Sequence, residues 1–150
     1  MVDTPRDIAE LMRQRLVKTD MAGFADLFAA DAVFEYPFEV PGWPPVIHGR
    51  DEIRDHLVET RAHLGNLIEI AGVDTMVHDT ADPEVVVLEL EVAGIRKATG
   101  APFRFASGVG ILTVRDGEAV RYRDYTNPLG SAVALGVLPQ LLAGLATQAG

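Results

Sequence analysis

The chain has 150 residues, 48% of them hydrophobic and 23% charged, with no cysteine and a formal net charge of −9. That length suits one domain spanning 1–150 with a sizeable core, and the acidity argues against nucleic acid or an anionic membrane surface as a partner. Without cysteine there is no disulfide, thiolate nucleophile or Cys-based metal site.

In chain order, MVDTPRDIAELMRQ lacks a basic run leading into an apolar one, so no signal peptide is read and a cytoplasmic location is expected. Thr4-Pro5 reads as an N-cap followed by an N1 proline, with Asp7 favouring the positive end of the helix dipole. Ile8, Leu11, Met12 and Leu16 form the helical stripe. A second short helix is predicted to carry Phe24, Leu27 and Phe28. AVFEY (32–36) is a strand candidate, and PFEVPGWPP (37–45) is a loop, because proline fits neither a helix interior nor a central strand. GRDEIRDHLVETRAHL (49–64) is the next helix, with Ile53, Leu57 and Leu64 on one face.

The hydrophobic period then changes from 3.6 to 2. NLIEIAGVDTMVH reads as a strand with a bulge at Ala71-Gly72; EVVVLELEVAGIR, FRFASGVGILTV and EAVRYRDYT are three more. Asp116-Gly117 is a hairpin signal between the last two. Residues 128–150 carry no charge. They read as one or two short apolar helices split at Pro139, buried in the protein or across a subunit interface. Pro139, Gln140 and Gln148 argue against a membrane span. Helices first and antiparallel strands after give the α+β class: a curved antiparallel sheet packed against N-terminal helices, with a pocket between the layers.

Two residues stand out for chemistry. In VRYRDYTNP, Val120, Tyr122, Asp124 and Thr126 share one strand face, so a carboxylate ends an apolar wall, where it is costly unless paired or used. The plainer alternatives are an ion pair with an arginine such as Arg104, or a strand-end carboxylate in water. His56 falls three residues after Ile53, with Thr60 one turn on, which puts it on the side of its helix facing the sheet. A boundary histidine bonded to a backbone carbonyl is its plainer alternative. Tyr36 and Trp43 are candidates to line a ligand, against ordinary roles as a half-buried strand tyrosine and a loop anchor. Phe103 and Phe105 read as core. His56 and His63 are about 10.5 Å apart along their helix, too far to share a metal, so no metal is expected.

FADLFAADAVFEYPF, GRDEIRDHL and GEAVRYRDYTNPL, in this order, resemble the nuclear-transport-factor-2-like superfamily, a cone-shaped α+β barrel with a deep pocket. Within it the chain looks most like the SnoaL-like proteins, and its tail NPLGSAVALGVLPQ is similar to the end of the phenazine-biosynthesis PhzA/PhzB proteins. That resemblance implies that His56, after the Gly-Arg-Asp motif, and Asp124 of RDYTN act as an acid/base pair, with Thr60 near the ligand. Physically, desolvation by Tyr122 and Val120 would push the carboxylate pKa up toward neutrality. Other branches fit less well. The general base of ketosteroid isomerase aligns with Tyr36, and its oxyanion-hole groups near Met12 and Val109. The Arg-x-Asp of limonene-type epoxide hydrolases aligns with Glu91 and Ala93, and their water-positioning pair with Phe34 and Tyr36.

The expectation is therefore cofactor-independent acid/base chemistry (isomerisation, cyclisation or condensation) on a small apolar, aromatic or polyketide-like metabolite of secondary metabolism. Asp124 and His56 would be catalytic, with Tyr36, Trp43, Thr60 and Tyr122 binding the ligand. The alternatives are a non-catalytic small-molecule binder and a structural dimerisation module. A homodimer is expected from the uncharged tail and the Arg121, Arg123, Tyr125 face.

Overall fold

In the computed structural model, which describes residues 2–149, the chain opens with the expected capping box. The Thr4 hydroxyl accepts from the Asp7 backbone N–H and the Asp7 carboxylate accepts from that of Thr4. Helix α1 (Pro5–Val17) buries Ile8 and Met12 and lays Leu11 and Leu16 against the core. Helix α2 (Met21–Ala25) is capped by Asp20 and stops before Leu27. Phe28 therefore opens strand β1 (Phe28–Glu35) rather than riding on the helix, but it is still fully buried.

After the proline loop come a short strand not expected from the sequence, β2 (Val46–His48), and helix α3 (Arg50–Gly65). Four longer strands follow: β3 (Ile68–Asp79), β4 (Val85–Arg96), β5 (Pro102–Arg115) and β6 (Glu118–Thr126). The turn between β5 and β6 has positive φ at both Asp116 (52°) and Gly117 (78°), the twist a two-residue hairpin requires.

The six strands form one sheet in the order β2-β1-β6-β5-β4-β3. Every neighbouring pair is antiparallel except β1 and β6, so the sheet is mixed rather than purely antiparallel as the sequence suggested. It curves without closing: β2 and β3 remain edges, and the architecture is an open cone rather than a barrel. Bulges bend it, alongside a slip of β1 against β6 between Phe28 and Val33. Ala71 in β3 is the expected one, and Ser107 in β5 and Val120 in β6 add two more. The bulge at Val120 shifts the inward alternation, so Ala119 and Tyr122 hold the buried places and Val120 only leans on the core.

Helices α1, α2 and α3 cover the concave face, and between the layers runs a chain of aromatic rings. Phe24 lies 5.8 Å from Phe28, Phe28 6.2 Å from Phe34, Phe34 5.2 Å from Tyr36, and Tyr36 5.0 Å from Trp43. Tyr122 stacks on Phe34 at 5.3 Å and 17°. Such pairs add stability beyond the area they bury, typically about 0.5–1.5 kcal/mol each.

The tail forms α4 (Pro128–Leu135) and α5 (Leu138–Ala149). The break is at Gly136, in the left-handed conformation that ends α4 (φ 74°), and not at Pro139. Proline is tolerated in the first turn of α5, where its missing N–H costs nothing. Asn127 caps α4 through Gly130 N–H and donates its amide to the Ala106 carbonyl (2.8 Å). Arg96 donates to the carbonyls of Ala134 (2.6 Å) and Val133 (2.9 Å) at the other end. Among the described residues no helix is long and apolar enough to cross a membrane.

Candidate functional site

Asp124 projects inward from β6, opposite Gly110 of β5. A β-carbon at position 110 would collide with the Tyr122 phenol, so glycine there is what lets Tyr122 lie flat beside the carboxylate. Asp124 and Tyr122 line an inner cavity of about 160 Å³ whose other walls include Phe24, Phe34, Leu57, Leu90 and Ser107. The Ser107 bulge turns β5 toward this space.

No hydrogen-bonding or ion-pairing partner meets the Asp124 carboxylate among the described residues. Arg104, the alternative suitor, is on the other face of the sheet with Glu91 and Asp74. Burial without compensation pushes the Asp124 carboxyl up to about 7. Asp124 is half-buried and lines the cavity.

His56 sits on α3 with its Nε2 2.8 Å from the Tyr36 hydroxyl, in place of the backbone carbonyl that the plainer reading supplied. Burial lowers its pKa, against a smaller opposing pull from Glu59, so the ring is neutral at pH 7. Tyr36 is 3% exposed, more buried than the sequence suggested. Desolvation and the nearby Asp124 charge both hold its phenol protonated. Trp43 packs edge-on against His56 at 5.5 Å, which fixes the proline loop over the end of the cone.

His56, Trp43 and Thr60 line a second, outer cleft of about 550 Å³, together with Asp55, Glu59 and His63. The six residues singled out from the sequence thus divide into two groups. Asp124 and Tyr122 face the inner cavity; His56, Trp43 and Thr60 face the outer cleft. Tyr36 joins them. Its hydroxyl is on His56, its ring packs on Phe34, and it feels the charge of Asp124. The aromatic wall keeps His56 and Asp124 on different cavities, an arrangement that strand and helix periodicity cannot register.

Asp55, Glu59 and His63 were not singled out, although their spacing of four residues along α3 was the available signal. Ser107 carried no signal, because a bulge decides where it points. Arg121 and Arg123, read as a free outer face, both reach Glu35, Arg121 at 2.8 Å.

Chemically, Asp124 can take or give a proton near neutral pH in an apolar space. The Tyr36–His56 pair can relay or donate one. With the His56 proton on Nδ1, Tyr36 donates to Nε2; with it on Nε2, Tyr36 accepts and its own proton is free for a ligand oxygen.

A family described as a SnoaL-like domain matches residues 8–122. The chain is 32% identical over 117 residues to an uncharacterized PhzA/B-like protein of Pseudomonas aeruginosa, covering 78% of this chain and 79% of that one. It is 33% identical over 123 residues to YesE of Bacillus subtilis, covering 81% and 80%. A Bacillus subtilis crystal structure provisionally named an isomerase superposes with a TM-score of 0.74 at 29% identity, over 89% of this chain and 93% of that one. A phenazine biosynthesis-related protein of Pseudomonas aeruginosa superposes at 0.57 with 23% identity, over 88% and 91%, which speaks for the fold alone.

Proposed function

The chain belongs to the SnoaL-like family, and from that premise we propose that it is a cofactor-independent acid/base enzyme of the isomerase, cyclase or condensation type. Its substrate is a small, largely apolar metabolite, aromatic or polyketide-like, bearing a carbonyl or imine. The observation that carries this reading is the Asp124 carboxyl: unpartnered, open to an apolar cavity and poised at about 7. A carboxylate in that state abstracts a proton from carbon next to a carbonyl and returns it elsewhere.

The cavity's size supports a ring there, since an apolar cavity of about 150 Å³ accepts a benzene molecule. Tyr36, kept protonated by burial and bonded to His56, supports a route by which a proton passes between the interior and the His56 side. The provisional isomerase name of the Bacillus subtilis structure agrees with this class of chemistry.

Deuterium wash-in at the α-carbon of cyclohexanone, followed by NMR, tests it. The protein should accelerate exchange over buffer, and Asp124→Asn should lower that acceleration by roughly 10²–10⁴-fold. Equal exchange with both proteins would discard Asp124 as the base. One observation favours a second reading, a non-catalytic small-molecule binder: the two candidate acid/base groups line separate cavities. On that reading ligands perturb the outer cleft while no exchange is catalysed.

A further inference from the structure

The outer cleft does not end at Trp43. Beside that side chain is an open-sided groove of about 370 Å³, bordered by the proline loop, the end of α3 and the two tail helices. Trp43 and Leu64 line both spaces, so the indole stands where the two meet. The chemistry of the two spaces differs. The cleft carries Asp55, His56, Glu59 and His63, whereas the groove is lined by Val40, Ala132, Leu135, Val137 and Leu141 and contains no charged group.

We propose that the groove beside α4 and α5 is an apolar subsite continuous with the His56 cleft, with Trp43 at the junction of the two. It takes the hydrocarbon part of an amphiphile whose neutral or cationic polar end stays beside Asp55, His56 and Glu59. This rests on the second reading, in which the outer cleft is a ligand site, and extends it across the tail. An anionic head group is disfavoured, because Asp55 and Glu59 line the cleft and the chain carries a net charge of −9.

The walls are built for admission. α4 is fastened at both ends, by Asn127 to β5 and by Arg96 to its last carbonyls. α5 packs chiefly on α4 and is joined to it at Gly136, so α5 is the wall that can give way. Thr126, Ser131 and Gln140 are the groove's polar points, and each is uncharged. A volume within the range of ordinary ligand sites, roughly 300–1,000 Å³, suits a short alkyl chain or one to two fused rings.

Trp43 is the single tryptophan of the chain, so its fluorescence reports on the junction of cleft and groove without labelling. The experiment titrates primary alcohols from butanol to decanol into the full-length protein and into Ala132→Phe, which fills the groove. Methyl and amide NMR shifts of the wild type are followed in parallel. Each added methylene should tighten binding about fourfold until the groove is full. Ala132, Leu135 and Val137 should shift with Trp43, and Ala132→Phe should flatten the chain-length series.

Shifts at His56 and Thr60 with none in α4 or α5 would overturn the subsite and leave the cleft intact. No shift in either region would overturn both. Should Ala132→Phe not fold, the wild-type shift pattern decides alone.

Discussion

Replacing Asp124 by asparagine should make the protein more stable as the pH rises, and by an amount the site itself sets. The carboxyl is at about 7 in the folded chain against an ordinary value of 3.8, and burial is the only cause. Between those values the folded state holds a proton that the unfolded chain has already released. The wild type therefore loses stability as pH increases through that window, and the loss is complete above pH 7.

At about 1.36 kcal/mol per pH unit the full difference is about 4 kcal/mol, of which about 2–3 kcal/mol falls between pH 5 and pH 8. Asparagine has the same shape and does not titrate. Urea denaturation of wild type and Asp124→Asn at pH 5, 6, 7 and 8 isolates the term, since every other titration is common to both. The variant's advantage should grow by about 2–3 kcal/mol across the series, or about 5–10 °C in Tm for a chain of this length. On the proposed acid/base reading the same substitution lowers the exchange acceleration by roughly 10²–10⁴-fold, the trade expected where a functional group is kept at the expense of stability. A constant difference, or one that shrinks toward pH 8, would show that the carboxylate is solvated or paired and would refute the reading of the site.

His56 should show the opposite sign. Its pKa is lowered by burial, so a folded chain with neutral His56 gains stability as pH rises toward 6.5 and is penalised below it; comparing His56→Gln with wild type by urea denaturation between pH 5 and 7.5 checks this. Tyr36→Phe removes the bond to Nε2 and should cost about 1–2 kcal/mol in the same assay while moving the His56 ring resonances; unmoved resonances would mean that the pair is not formed in solution. Gly110→Ala drives a methyl into the Tyr122 phenol and should cost about 1–3 kcal/mol, together with the ring current that Tyr122 exerts on Phe34. Arg96→Met releases the carbonyls of Val133 and Ala134, so amide exchange should accelerate across 128–149 and stay slow in β4 and β5.

Local rules carry far in this chain. The capping box at Thr4, the helix over Arg50–Gly65, the bulge at Ala71, the hairpin at Asp116-Gly117 and the limits of the last three strands follow from propensity and period, because each depends on residues a few positions apart. The same rules fail where two signals compete. Phe24, Leu27 and Phe28 have helical spacing, yet α2 stops at Ala25 and Phe28 begins a strand, since β1 gains pairing along β6 that a helix could not offer. Pro139 looks like a breaker, but the left-handed Gly136 makes the break three residues earlier.

For the site, residue identity was legible and arrangement was not. Strand alternation placed Asp124 and Tyr122 on the inner face, and helix spacing turned His56 and Thr60 toward the same end of the cone. Whether Asp124 would meet an arginine depended on contacts made through the sheet. Arg104 is spent on Glu91 and Asp74, which leaves the carboxyl with no ion-pair or hydrogen-bond partner among the described residues. The division of the interior by Phe34, Tyr36 and Tyr122, and the second face given to Trp43 by the tail helices, likewise come from side chains far apart in sequence. Periodicity determines which way a residue points along its own element; what it meets there is decided by packing between elements, and that belongs to the tertiary structure alone.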